Sequence, residues 1–358
     1  MPAVGPKKAR LIDVAELAGV SPTAVGKVLS GTGGSRVGVG PEAAAQIRRA
    51  ARELGYRPNA AARQLRGQRS QLVGVLVDSR APQARLYGLA RLESLLRQRR
   101  YRILVGYGHD DAEAFREHRD EFISRGVDGL VCLSHDYPDR RISDEVTALV
   151  EDSGIPCVLI GRPRFATHRA TVIDIDRETA VRQAVRHLHE RGRLRPCLVS
   201  FASGSQSARA REAGFRRGLE ETGLDRAEEP CVLNLPLSAM DRRSDDLGRF
   251  VDREVLPRRM DAILAPNDLI AARLLKVLAG RGVEVPGDMA LIGWANDPIA
   301  ELTAPALTTI DQHEETLAEL AVTALMRSVE TQQEPAVEAD DLGPPAAVTP
   351  SLVIRESC

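Results

Sequence analysis

Between Gly19 and Thr32 the chain reads G-V-S-P-T-A-V-G-K-V-L-S-G-T, and the side chains there that could do chemistry are few. They are the hydroxyls of Ser21, Thr23 and Thr32 and the ammonium of Lys27. No nucleophile stands beside a base. Hydroxyls and a cation together are suited to bonding phosphate oxygens and base edges. Whether they can depends on the elements that carry them. Val14, Leu17 and Ala18 recur at i, i+3 and i+4 and predict a helix over 12–18 with one apolar face. Gly19 supplies the left-handed residue that ends it. Ser21 is placed to cap the next helix, and Pro22 to occupy its first position, where a missing N–H costs nothing. That second helix is expected over 23–29 with Val25, Val28 and Leu29 inward; Gly26 in its middle is a weak helix former. Two short helices across so tight a turn make a helix-turn-helix. Its second helix can enter the major groove with Pro22, Thr23, Gly26 and Lys27 at base edges and Ser21 and Thr32 on phosphates. An ordinary helical hairpin has the same shape, so shape alone does not decide.

Charge separates the two readings further. Residues 1–71 hold 12 Lys+Arg against 4 Asp+Glu, while the remainder holds 37 against 46, so a head of +8 rides on a body of −9. Such asymmetry is expected of a nucleic-acid-binding module carried by another domain. A third helix is predicted in P-E-A-A-A-Q-I-R-R-A-A-R-E-L-G-Y, with Ala45, Ile47, Ala50, Ala51 and Leu54 inward and Arg48, Arg49 and Arg52 outward. Beyond it, Asn59 to Leu65 has helical composition but is too short to persist alone. A second copy of itself together with DNA would order it, and Leu65 would then be an apolar wedge for a minor-groove base step. A flexible linker with Leu65 tucked into the body is the alternative.

The blocks D-V-A-x-x-A-G-V-S, L-G-Y-x-P-N and N-x-x-A-x-x-L (Asn59, Ala62, Leu65) occur together at set spacing. In this the chain closely resembles the lactose/galactose repressor (LacI/GalR) family, and the similarity runs through nearly its whole length. The resemblance implies a homodimer reading a pseudo-palindromic, double-stranded operator. It places Pro22, Thr23 and Lys27 among the base readers and Leu65 at the intercalating hinge position. Gly26, Lys27 and Arg10 stand where a serine, an arginine and a capping threonine are common, which leaves the operator sequence open.

From Leu72 onward strands and helices alternate, which predicts parallel sheets with helices on both faces. The expected fold is thus an all-α helix-turn-helix head plus an α/β body of two doubly wound parallel-sheet lobes, which the resemblance makes periplasmic-binding-protein-like. The expected division is 1–57 for the head and 58–71 for hinge helix and linker. The N-lobe is expected over 72–170 with about 304–330, and the C-lobe over 171–303 with about 331–358. Ligands in such sheets lie beyond the carboxyl ends of the strands.

The resemblance further implies a small effector in the interlobe cleft. Arg211 falls on the family arginine that forks onto sugar hydroxyls or a carboxylate. Asn267 and Asp268 fall on an N-D pair at a strand end, Asp176 on an aspartate before a helix, and Trp294 and Asn296 in the G-W-A-N-D stretch. Simpler roles compete: Arg211 as a surface cation, Asp268 as a cap for a helix beginning at Leu269, Trp294 as core. Ala84 and Arg85 replace an aromatic pair, Gly161 a carboxylate, and Ala295 a sugar-gripping acid. Arg85, Arg162 and Arg211 together would suit an anionic or phosphorylated ligand; a sugar or another small metabolite is the wider class.

Other classes fare worse. The glycine-rich 31–40 fits neither a dinucleotide fingerprint nor a P-loop, and no nucleophile–base–acid set is found, so an enzyme is not expected. Five widely spaced cysteines without a C-x-x-C pair argue for reduced thiols rather than a disulfide frame or metal site. No cofactor is expected. No apolar run reaches membrane-span or signal-peptide length, which points to the cytoplasm. A solute-binding protein with an incidental basic head is the remaining alternative.

Overall fold

A computed structural model describes residues 9–30, 39–56, 69–78, 83–108, 111–133, 140–163, 167, 169–201, 204–224, 231–241, 245–331 and 347–358. The chain divides into two compact units, Met1–Ser70 and Gln71–Cys358.

Among the described residues the head has three helices, α1 (Leu11–Ala18), α2 (Pro22–Ser30) and α3 (Pro41–Glu53). Gly19 ends α1 with φ 64°, and its N–H reaches back to the carbonyls of Ala15 and Glu16. At the other end of α1, Asp13 accepts from the Arg10 backbone N–H at 2.7 Å and from its guanidinium at 3.2 Å. The acid at the third helical position thus does the capping where Arg10 cannot. Val14, Ala15, Val25, Ile47, Ala50 and Ala51 form a small core. Three expected core positions lie elsewhere. Leu17 is 49% exposed, Leu54 37%, and Ala45 is also outward. In α1 the buried pair is the adjacent Val14 and Ala15, so Ala15 takes the place that periodicity assigned to Leu17.

Among the described residues the body holds two six-stranded sheets. Three βα units open the N-lobe, β1 (Leu72–Asp78), α4 (Ala84–Gln98), β2 (Arg102–Gly108), α5 (Ala112–Ser124), β3 (Gly129–Cys132) and α6 (Arg140–Asp152), followed by the strands β4 (Cys157–Ile160) and β5 (Ala170–Ile175). The C-lobe contributes α7 (Arg177–Glu190), β6 (Pro196–Phe201), α8 (Gln206–Thr222), β7 (Val232–Leu235), α9 (Asp246–Phe250), β8 (Ala262–Leu264), α10 (Asp268–Ala279), β9 (Ala290–Trp294), α11 (Ile299–Leu302) and β10 (Thr308–Asp311). Then come α12 (Glu314–Thr331), β11 (Ala347–Val348) and β12 (Ser351–Val353). Strand order is β11-β5-β4-β3-β1-β2 in one sheet and β12-β10-β9-β8-β6-β7 in the other. All pairs are parallel except β10 with β12. Runs such as L-V-G-V-L-V-D are apolar throughout because helices cover both faces.

The lobe boundaries need correcting. β5 pairs with β4, so 170–175 belongs to the N-lobe rather than opening the C-lobe. β10 pairs with β9 and lies in the C-lobe, while β11 pairs with β5 in the N-lobe. The chain therefore crosses between lobes at Asp176, again between Asp311 and Glu314, and a third time between Val348 and Ser351. α12, placed correctly, packs its Leu317, Ala321 and Leu325 into the N-lobe core. The expected hinge over 58–71 lies, for 58–68, outside the described residues. Among described residues, no helix is long and apolar enough to cross a membrane.

Candidate functional site

In the head, the Ser21 hydroxyl accepts from the Ala24 N–H at 3.2 Å and opens α2 as its cap. Pro22 and Thr23 follow on the exposed first turn, with Gly26 and Lys27 half-buried one turn later. A Cβ at Gly26 would meet only Leu11 Cδ1, at 4.0 Å, so packing within the head does not demand glycine there. The arginines of α3, Arg48, Arg49 and Arg52, are exposed as expected. Thr32, Asn59, Ala62 and Leu65 lie outside the described residues.

In the body, the carboxyl ends of β8 and β9 gather most of the expected cleft residues. Arg211, from α8, stacks its guanidinium over the Trp294 ring, 3.7 Å from the centroid, and donates to the Pro266 carbonyl at 2.9 Å. Trp294 is 2% exposed. Neither the Arg211 Nε nor the Trp294 indole N–H has a hydrogen-bond partner, although both are buried. Among the described residues, no carboxylate pairs with Arg211. Burial, and after it the neighbouring cation Arg177, hold its guanidinium down to about 9. Arg211 is therefore not a surface cation: it is a buried donor facing another donor.

Beside this wall, Asn267 caps α10, its Oδ1 accepting from the Ile270 N–H at 2.8 Å. The capping role proposed for Asp268 belongs to Asn267, because the helix starts one residue earlier than expected. Asp268, fully buried, turns inward. It accepts from Thr309 Oγ1 at 2.6 Å, from the Asp297 N–H at 2.7 Å, and from the Trp294 backbone. Gly293 is required for this: a Cβ there would sit 2.0 Å from Asp268 Oδ1. Burial pushes the Asp268 carboxyl up to about 6 despite those donors. A carboxyl raised in the folded chain holds its proton where the unfolded one has lost it, so its contribution to stability is present on the acid side and fades as pH rises through about 6. The stability of wild type relative to Asp268→Asn should therefore increase by about 2 kcal/mol between pH 7.5 and 4.5, read from urea midpoints. A difference that stays flat across that range would mean that Asp268 titrates like an exposed acid.

The other expected site residues are engaged elsewhere. Arg85, 7% exposed, pairs with Glu314 at the start of α12, 3.1 Å away. Arg162 is paired with Asp174 at 2.8 Å. The trio Arg85–Arg162–Arg211 is thus not assembled as three spare cations; two already have acids. Asn296 donates to Asp311 Oδ2 at 3.0 Å and accepts from Arg355 at 2.9 Å, so its amide ties strand ends together. Asp176 caps α7 through the Thr179 N–H at 3.0 Å, directly at the first lobe crossing.

Three buried charges went unnoticed in sequence. Arg177 is 9% exposed. Glu314 is 8% exposed and holds Arg85. Asp297, 4% exposed, comes from the C-lobe yet accepts from the backbone N–H groups of Gln83 and Ala84, the first turn of N-lobe helix α4. Ala84 itself sits in a C-lobe core cluster. Only the run P-Q-A before α4, which lacks a capping side chain, could have hinted that the cap comes from elsewhere.

Comparison with known proteins bears on both units. Residues 10–59 match the bacterial regulatory proteins of the lacI family, and residues 185–358 match the periplasmic binding protein-like domain. The HTH-type transcriptional repressor PurR of Haemophilus influenzae (strain PittEE) is 27% identical over 349 residues, 98% of this chain and 98% of the relative. Catabolite control protein A of Staphylococcus xylosus is 28% identical over 306 residues, 84% of this chain and 87% of the relative. Among solved structures, the Lac repressor dimer bound to operator and the anti-inducer ONPF has a TM-score of 0.78 at 24% identity, covering 98% of this chain and 99% of that one. That last likeness is one of fold.

Proposed function

We propose, for a chain that carries a lacI-family head on a periplasmic-binding-protein-like body, that it is a dimeric transcription regulator, a repressor, whose hold on its operator is tuned by a small effector. The observation that carries the DNA role is the exposed Pro22–Thr23 turn, capped by Ser21, at the start of α2 in a head of net charge +8. Such a turn presents its side chains to base edges, and the surrounding cations hold the backbone. Two copies would read a two-fold operator. The work is that of a protein in the compartment that holds the DNA.

The effector reading rests on the wall built by Arg211, Arg177 and Trp294. Among the described residues, the buried Arg211 Nε and Trp294 indole N–H are donors without a partner, so the wall favours a ligand rich in acceptors, a carboxylate or a phosphate, over a neutral sugar that must both give and receive. The cleft is read as regulatory rather than catalytic because its buried acids are occupied in capping and ion pairing. Coupling between lobes would pass through the grip of Asp297 on α4, which any change in lobe closure must strain or release.

Fluorescence anisotropy against genomic fragments tests the DNA role. Wild type should bind a subset of fragments, with affinity falling about a thousandfold between 50 and 200 mM salt. Lys27→Ala should weaken binding by about 1–3 kcal/mol and alter the sequence preference. Absence of binding to any duplex at 50 mM salt would overturn the reading in favour of a solute-binding protein.

A further inference from the structure

The five cysteines are free thiols, yet four of them fall in two pairs on neighbouring strands, one pair in each lobe. In the C-lobe, Leu198 of β6 is in register with Val232 of β7, and the Leu198 N–H bonds the Cys231 carbonyl at 3.0 Å. One residue earlier on both strands, Cys197 therefore stands directly opposite Cys231. The two face the same apolar cluster. Neighbouring strands lie about 4.8 Å apart, inside the roughly 4.4–6.8 Å between Cα atoms that a disulfide spans. In the N-lobe the geometry differs. Cys157 is in register with Leu130, and Cys132 with Leu159, so these two cysteines are displaced by two residues along the strands. That displacement adds about 6.6 Å and takes the Cα atoms to about 8 Å, so although the Cys132 and Cys157 side chains share a hydrogen bond, a disulfide there would need backbone movement.

The two C-lobe thiols also differ from each other. Cys197 is fully buried, whereas Cys231 is half-buried, at the entrance to β7. We propose that Cys197 and Cys231 form a reversible peroxide-reactive thiol pair, with Cys231 attacking and Cys197 resolving. The Cys231 thiolate attacks one peroxide oxygen, the O–O bond breaks, and the departing hydroxide takes up a proton to become water. Cys231 is then a sulfenic acid. The Cys197 sulfur attacks the Cys231 sulfur, the S–O bond breaks, and the hydroxyl leaves with the Cys197 proton as a second water. Two thiols lose two electrons and the peroxide gains them. The surroundings support this division of labour. A hydrogen bond from Cys197, and after it the guanidinium groups of Arg258 and Arg195, bring Cys231 down to about 7 against the opposing effects of burial and Glu254. The Cys197 thiol is pushed well up by that same bond and by burial.

The test uses the full-length protein, reduced and then exposed to a small excess of hydrogen peroxide. Thiols are blocked with N-ethylmaleimide and peptides mapped by mass spectrometry without reductant. The expected product is one linked peptide pair joining Cys197 to Cys231, restored to thiols by dithiothreitol, with Cys132 and Cys157 still blocked singly. Cys231→Ser should abolish the product. Cys197→Ala, which removes both the resolving thiol and the donor, should leave Cys231 as a sulfenic acid captured by dimedone, and should raise the pH midpoint of its alkylation by iodoacetamide above about 7. The proposal is overturned if wild type yields only sulfinic or sulfonic acid at Cys231, if Cys231 does not react, or if Cys132 and Cys157 join as readily.

Discussion

Arg211→Met should cut affinity for an anionic effector about a hundredfold while leaving effector-free operator binding unchanged. The buried guanidinium has one carbonyl partner, one aromatic face and an unused Nε, so what it can still bond is a ligand. Two charge-assisted hydrogen bonds to a carboxylate or phosphate are worth about 3 kcal/mol, which is that hundredfold. Methionine keeps the volume and the contact with Trp294, since a thioether packs well against an aromatic ring. The same change should make the folded body more stable, by about 1 kcal/mol or more, because it removes a buried cation that feels Arg177 and has no acid among the described residues. Calorimetry with sugar phosphates, carboxylates and neutral sugars reads the first effect, and denaturant midpoints the second. Tight binding of a neutral sugar by wild type and variant alike would refute the donor-wall argument.

A single methyl group at Gly214 should destabilise the body by roughly 3 kcal/mol. Gly214 lies on α8 where that helix crosses α7, and an added Cβ would come within 2.3 Å of the Glu178 carbonyl oxygen and 2.8 Å of its Cα. Both are backbone atoms, so no rotamer change can relieve the clash and the helices must part. Glu178 follows Arg177, so the displacement would also carry away one of the two cleft cations. Gly214→Ala should therefore lower the denaturant midpoint and weaken effector binding together. An unchanged midpoint would show that α7 and α8 can slide apart at little cost, contrary to their close packing.

The turn at Gly19, the cap at Ser21 and the proline at the start of α2 were all legible, because each acts on atoms within four residues of itself. The alternation of strands and helices was legible for the same reason. Leu17, Ala45 and Leu54 were misplaced because period alone cannot say how wide a buried stripe a three-helix bundle can cover. The arginine trio failed for another reason: a basic side chain looks spare until its acid is known, and Glu314 is 229 positions from Arg85.

Local chemistry along the chain thus determined the elements, their caps and the basic character of the head. Only the tertiary structure decided which lobe owns β5, β10 and β11, since a strand buried on both faces is apolar throughout and carries no mark of its neighbour. It alone also decided which charges are spent. Asp297 reaches α4 across the lobes, Arg85 is neutralised, and Arg211 is left facing Arg177, because pairing depends on distance in space, which spacing along the chain does not encode.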